Sequence, residues 1–146
     1  MSISRFGRQF LKSKQGEVKE KKHKYGAKSV RHDGLSFASK LEASVYDILL
    51  LLQRAGDIQN LSTQKRVYLV RNPDIYYIPD FYFERGGLPM YAEAKGFETP
   101  EWKIKKKLWQ HFGTAPLEIF QGSHKSPKLT ETLYPKNEWV RLAGTK

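Results

Sequence analysis

The chain has 146 residues, with 26 Lys and Arg against 15 Asp and Glu, for a formal net charge of +11 at pH 7. That length suits one domain with a real core. The absence of cysteine excludes disulfides, a thiolate metal site and a cysteine nucleophile, and fits a reducing, cytoplasmic setting. No apolar run approaches the roughly 20 residues of a membrane span, so no membrane partner is expected.

The charge is unevenly spread. Residues 1–32 hold ten basic and two acidic side chains, whereas the remaining 114 hold 16 and 13. A basic arm ahead of a nearly balanced body is a footprint of nucleic-acid binding. Residues 1–24 are expected to be disordered without DNA, apart from a partial helix near 5–11. Residues 25–146 read as a single domain.

Residues 29–34 read as a turn. A helix follows, with Ser36 or Ser39 as N-cap; if Ser39 caps, Glu42 falls at N3 of a capping box. Leu41, Val45, Ile48, Leu49 and Leu52 form an apolar stripe, and Gly56 ends the helix near Ala55. A first strand is expected over 64–70, with Val67 and Leu69 on one face and Tyr68 and Val70 on the other. Residues 71–74 are a turn signal.

Residues 78–96 read as two strands joined at Gly86-Gly87, since both glycines accept positive φ. That turn pairs Arg85 with Leu88 and, by the same register, Asp80 with Glu93. Opposed residues share a face, with Cβ atoms roughly 4.5–5.5 Å apart. Lys95 falls on that face too. Thr99 and Pro100 then open a second helix, whose buried side is expected at Ile104, Leu108 and His111/Phe112. Lys103, Lys105, Lys106 and Lys107 charge its other sides, and Gly113 stops it. Residues 117–120 read as a strand parallel to the one before the helix. From 122 the chain reads as loop until a short strand or helical turn at 138–142. The order predicts an α/β domain with a mixed central sheet flanked by helices.

Two carboxylates facing each other repel unless a cation lies between them. Asp80 and Glu93 are hard oxygen donors suited to Mg²⁺, and the Ala94 carbonyl is a further possible ligand. The four histidines (His23, His32, His111, His124) are scattered, which argues against zinc. Lys95 beside the metal would orient an attacking water or stabilise a phosphorane-like transition state. Each residue has a plainer role when taken singly. Asp80 after proline suits a turn, Glu93 and Lys95 suit a solvent-facing pair, and Glu42 suits a cap.

Ile78-Pro79-Asp80, a hairpin, and Glu93-Ala94-Lys95 resemble the PD-(D/E)xK nuclease signature. Its usual core is helix, three antiparallel strands, helix, strand. Lys24-Tyr-Gly-Ala-Lys28, Ser39-x-Leu41-Glu42, Leu61-x-x-Gln64 and Glu93-Ala-Lys95-Gly96-Phe97 are similar to segments of small phage endonucleases. The first two also resemble phage endonuclease I type Holliday-junction resolvases, and the core motif resembles archaeal-type ones. The resemblance spans residues 24–112. It implies a restriction-endonuclease-like core in which Glu42, Asp80 and Glu93 bind Mg²⁺, or Mn²⁺ in its place, and Lys95 is catalytic. Alanine replaces the β-branched middle residue of many Glu-x-Lys motifs, a change of packing and not of chemistry.

The implied activity is a metal-dependent endodeoxyribonuclease acting on four-way junctions as a two-fold homodimer, in the host cytoplasm if phage-encoded. Arg5, Arg8, Lys24, Tyr25, Lys28, Arg31, Ser39, Gln64, Lys103 and Lys106 are the candidate DNA contacts. Tyr25, Phe97 and Trp102 are candidates to stack on bases or sugars. The alternatives are a nicking or restriction-like nuclease, a non-catalytic DNA binder on the same fold, and a basic accessory protein.

Overall fold

The computed structural model describes residues 29–136. The basic arm with its partial helix, and the element expected at 138–142, lie outside the described residues.

The expected turn at 29–34 is the centre of a small hairpin, β1 (Val30–His32) and β2 (Leu35–Phe37). Asp33 and Gly34 take φ of 51° and 74°, the positive values of a two-residue turn that matches strand twist. Phe37 ends the hairpin buried against Tyr46 and Phe81.

Helix α1 (Lys40–Ala55) starts where its cap dictates. Ser39 Oγ accepts the Glu42 N–H at 3.1 Å, and left-handed Gly56 closes the far end onto the carbonyls of Leu52 and Gln53. The capping box is altered, because the Glu42 carboxylate accepts from Ala38 N–H, one residue upstream of the cap. Leu41, Val45 and Leu49 are buried as the stripe requires, with Ile48 and Leu52 half-buried.

The next strands correct the expectation for 64–70. The central sheet begins earlier, at β3 (Gln59–Thr63), whereas β4 (Val67–Arg71) and β5 (Asp74–Tyr77) form a separate two-stranded ribbon. β3 is a polar edge strand paired only with the next sheet strand, so it has no apolar alternation to read. The face assignment within β4 holds: Val67 and Leu69 are buried, and Tyr68 and Val70 are half-buried.

The hairpin β6 (Phe81–Arg85) and β7 (Leu88–Ala94) has the register set by its glycine turn, with Arg85 opposite Leu88 and Phe81 opposite Ala92. Helix α2 (Pro100–Phe112) is capped by Thr99, and it crosses over to β8 (Leu117–Ser123), which pairs parallel with β7. The loop expected from 122 is instead an edge strand, β9 (Ser126–Leu133), antiparallel to β8. Its proline, lysine and threonines conceal a strand in the sequence and blunt an edge in the fold. The sheet order is β3-β6-β7-β8-β9.

Strand alternation feeds two apolar layers. Phe81, Phe83, Ala92 and Phe120 pack with α1, whereas Tyr91, Leu117, Ile119 and Leu133 pack with α2 and the β4–β5 ribbon. The buried side of α2 matches the expected one at Leu108, which is half-buried against the core, and differs at Ile104 and His111/Phe112. Trp102 and Trp109, seven residues apart, are buried, whereas Ile104 is 61% and Phe112 51% exposed and His111 is also exposed. Two residues turn a helix by roughly 200°, so Ile104 must oppose Trp102. The two indoles carry more apolar area than the aliphatic residues and take the core side. Among the described residues, no helix is long and apolar enough to cross a membrane.

Candidate active site

Asp80 precedes β6, and Glu93 lies near the end of β7. The opposition expected from the turn is present and is locked by two reciprocal bonds. Asp80 N–H donates to Glu93 Oε2 at 3.2 Å, and Ala94 N–H donates to Asp80 Oδ2 at 2.9 Å. Gln64, at a left-handed φ of 58°, donates its N–H to the Asp80 carbonyl at 3.1 Å. The left-handed backbone carries the chain from β3 past Asp80, and such strain concentrates where surrounding structure holds it.

Lys95 sits on the same face. Its Nζ is 3.7 Å from Glu93 Oε1 and 4.7 Å from the centre of the Trp102 ring. Its backbone N–H donates to the Phe120 carbonyl at 2.8 Å, which anchors it to β8. Tyr77, the last residue of β5, hydrogen-bonds through its hydroxyl to Glu93.

Glu93 and Glu42 are both buried. Burial, then the charges of Glu93 and Glu42, push Asp80 well above the usual carboxylate range, against the pull of Ala94 N–H and Lys95. Burial also raises Glu93, opposed by the Tyr77 hydroxyl, by Lys95 and by Asp80 N–H. Glu42 is raised by burial and steadied by Ala38 N–H. Burial and the charge of Glu93 keep Tyr77 protonated as a donor. Two desolvated carboxylates thus share one lysine, and a further positive charge would relieve them.

The donors fit a hard divalent cation, because the convergent groups are carboxylate oxygens without thiolate or imidazole. Asp80 and Glu93 converge as expected. Glu42 acts on both through its charge, yet among the described residues no group of three or more His, Asp or Glu side chains forms a metal-holding cluster. The Glu42 carboxylate expected as a third ligand therefore acts on the pair through its charge without forming a three-carboxylate cluster with it. Ala94 is joined to the site through its N–H.

The candidate DNA contacts fare differently. Arg31 and Lys103 are exposed, and Gln64 is exposed beside Asp80. Ser39 is engaged as the α1 cap. Lys106 is already neutralised, with Nζ 2.5 Å from Glu131 and 3.5 Å from Glu98. Trp102 is 2% exposed and offers no face to a base, so its stacking role is withdrawn. Among the described residues its indole N–H has no partner. Phe97 is 68% exposed. Arg5, Arg8, Lys24, Tyr25 and Lys28 lie outside the described residues.

Sequence reasoning missed Tyr77 and the role of Trp102 as the floor beneath Lys95. Tyr77 carried a weak signal, as the inward member of the Tyr76-Tyr77 pair in a short strand ending just before Ile-Pro-Asp.

Fold and site together define an α/β protein whose mixed sheet holds half-buried Asp80 and buried Glu93 against a lysine. The family model described as "Protein of unknown function (DUF1064)" matches residues 22–131, and the chain belongs to that family. No curated protein and no solved structure matches it.

Proposed function

We propose that the protein is a metal-dependent endodeoxyribonuclease with a restriction-endonuclease-like PD-(D/E)xK core. The observation that carries this reading is the interlocked pair of half-buried Asp80 and buried Glu93, with the Lys95 ammonium 3.7 Å from Glu93. A protein that only bound DNA would gain nothing from two carboxylates facing a polyanion. A structural pair of buried acids would be expected to carry its own cations.

Asp80 and Glu93 would hold Mg²⁺ or Mn²⁺, with Glu42 and the Ala94 carbonyl as supplementary donors. The ion would polarise the phosphate and lower the pKa of its bound water. The remaining chemistry belongs to side chains of this chain. Lys95, fixed between Glu93 and the Trp102 ring, orients the attacking water and offsets charge growing on the phosphate oxygens. Tyr77 holds Glu93 in place by donating to it. Water oxygen bonds to phosphorus and gives up a proton to solvent, the bond to the leaving deoxyribose oxygen breaks, and that oxygen takes up a proton in turn. Among DNA substrates, the resemblance favours a four-way junction cut by a two-fold homodimer.

The test uses purified full-length protein with Mg²⁺ or Mn²⁺ on a four-way junction and a matched linear duplex. Wild type is expected to cut the junction. Asp80→Asn and Lys95→Ala should lose cleavage while still binding DNA. Normal cutting by both variants would refute the site. Equal cutting of junction and duplex would replace the resolvase reading with a nicking or restriction-like one.

A further inference from the structure

The β4–β5 ribbon has a face that the catalytic reading leaves unused. Val67 and Leu69 turn inward onto the α2 layer. Tyr68 and Tyr76, direct partners across the ribbon, turn the other way with ring centres 5.9 Å apart. Two guanidinium groups lie against these rings, and a lysine nearby lies over a ring of the central sheet. The Arg66 guanidinium is 4.3 Å above Tyr76, that of Arg71 is 3.7 Å above Tyr68, and Lys65 Nζ is 3.8 Å above Tyr82. Arg66 also hydrogen-bonds to the Tyr68 side chain. Lys65, Arg66, Arg71 and Tyr76 are all exposed.

Such an array is a poor device for stability, because exposed cation–π pairs contribute only about 0.5–1 kcal/mol each. It is better suited to recognition. Flat guanidinium groups and tyrosine rings offer stacking faces to unpaired bases, and the same cations offer charge to phosphates. Between residues 64 and 77 the only acidic side chain is Asp74, against Lys65, Arg66 and Arg71. The next residue after Tyr76 is Tyr77, which bonds Glu93 inside the site. A strand lying on the outer ribbon face would therefore run across the back of the ribbon whose inner face carries Tyr77 to Glu93.

We propose that the outer face of the β4–β5 ribbon binds a single-stranded segment of the DNA substrate, with bases on Tyr76 and Tyr68 and phosphates on Arg66 and Arg71. The choice of DNA rests on the nuclease reading; the surface itself is defined independently of catalysis.

The experiment measures binding of full-length protein in EDTA to a labelled oligothymidylate by fluorescence anisotropy across a range of salt. Arg66→Ala/Arg71→Ala is expected to weaken binding at least about tenfold and flatten the log Kd against log salt slope by roughly 1.4, for two lost single-strand phosphate contacts. Tyr76→Ala should weaken it roughly 5- to 100-fold through lost stacking, with Tyr76→Phe restoring affinity. Thermal melts of each variant establish that it is folded. Wild-type affinity and slope in the double arginine variant would overturn the proposal, as would equal affinities for Tyr76→Ala and Tyr76→Phe. No binding by wild type would overturn it too. If the ribbon variants bind normally but Asp80→Asn abolishes cutting, only the surface is wrong. If the ribbon variants lose binding but wild type never cuts, the surface stands and the nuclease reading falls.

Discussion

Glu93 and Glu118 stand on neighbouring strands of one sheet, β7 and β8, and are 6% and 4% exposed. Glu118 is ion-paired with Arg85, which reaches it from the turn end of the β6–β7 hairpin. Glu93, at the other end of that hairpin, faces Asp80 and has Lys95 only at 3.7 Å. The same side chain at the same burial is thus neutralised in Glu118, which pairs with Ala92 across the sheet, and crowded by a like charge in the adjacent Glu93. A buried acid with its own arginine is a structural arrangement. Two acids sharing one lysine are the arrangement that the proposed metal site rests on.

The largest effect that would test this contrast is on catalysis. Asp80→Asn should reduce the rate of DNA cleavage by about 10²–10³-fold or more, the scale of losing one pre-organised electrostatic group. Glu118→Gln should cut at close to the wild-type rate. Similar losses in the two variants would break the distinction.

Stability should move in the opposite sense. Arg85→Met strands a buried carboxylate and should cost about 2–3 kcal/mol in urea unfolding, below the full range for buried pairs because Arg85 is half exposed. Asp80→Asn in metal-free protein removes a like-charge contact and should leave stability unchanged or raise it by about 1 kcal/mol.

The pH dependence sharpens the same point. Asp80 and Glu93 have native values raised above their ordinary 3.8 and 4.5, so the folded chain binds more protons than the unfolded one. Their contribution to stability is complete below the unfolded values and is lost as pH rises through the native ones. In metal-free protein, the melting temperature of Asp80→Asn relative to wild type should therefore rise between about pH 4 and neutrality. Saturating Mg²⁺ should close that gap by stabilising wild type, about 2.7 kcal/mol at a hundred times Kd. A gap independent of pH would argue that the pair does not titrate together.

The smallest effect concerns Glu42, the third buried glutamate, which has Ala38 N–H as its steadying partner. Ser39→Ala, which removes the cap beside it, should cost about 1 kcal/mol in unfolding. A much larger loss of DNA affinity than of stability would restore Ser39 as a DNA contact.

Several of these features were legible before any coordinates. Ser39, Gly56, Thr99 and Gly113 mark helix ends by local chemistry, and Gly86-Gly87 sets a register that carries Asp80 to Glu93 without further information. The strands β3 and β9 were not legible, because edge strands pair on one side and carry polar residues that look like loop. The buried face of α2 differs from the expected one because Ile104 and Trp102 are both apolar and helical spacing alone does not rank them. Only the competition for one core decides which of them is inside.

By itself, the sequence determined caps, turns, the hairpin register and the opposition of two acids, because these rules act within a few residues or along one counted ladder. Tertiary structure alone decided that Lys106 is taken by Glu131, that Trp102 underlies Lys95, that Tyr77 bonds Glu93, and that Glu42 acts on the pair through its charge without forming a cluster with it. Those pairings join residues far apart in the chain, and they depend on how two apolar layers settle on opposite faces of one sheet.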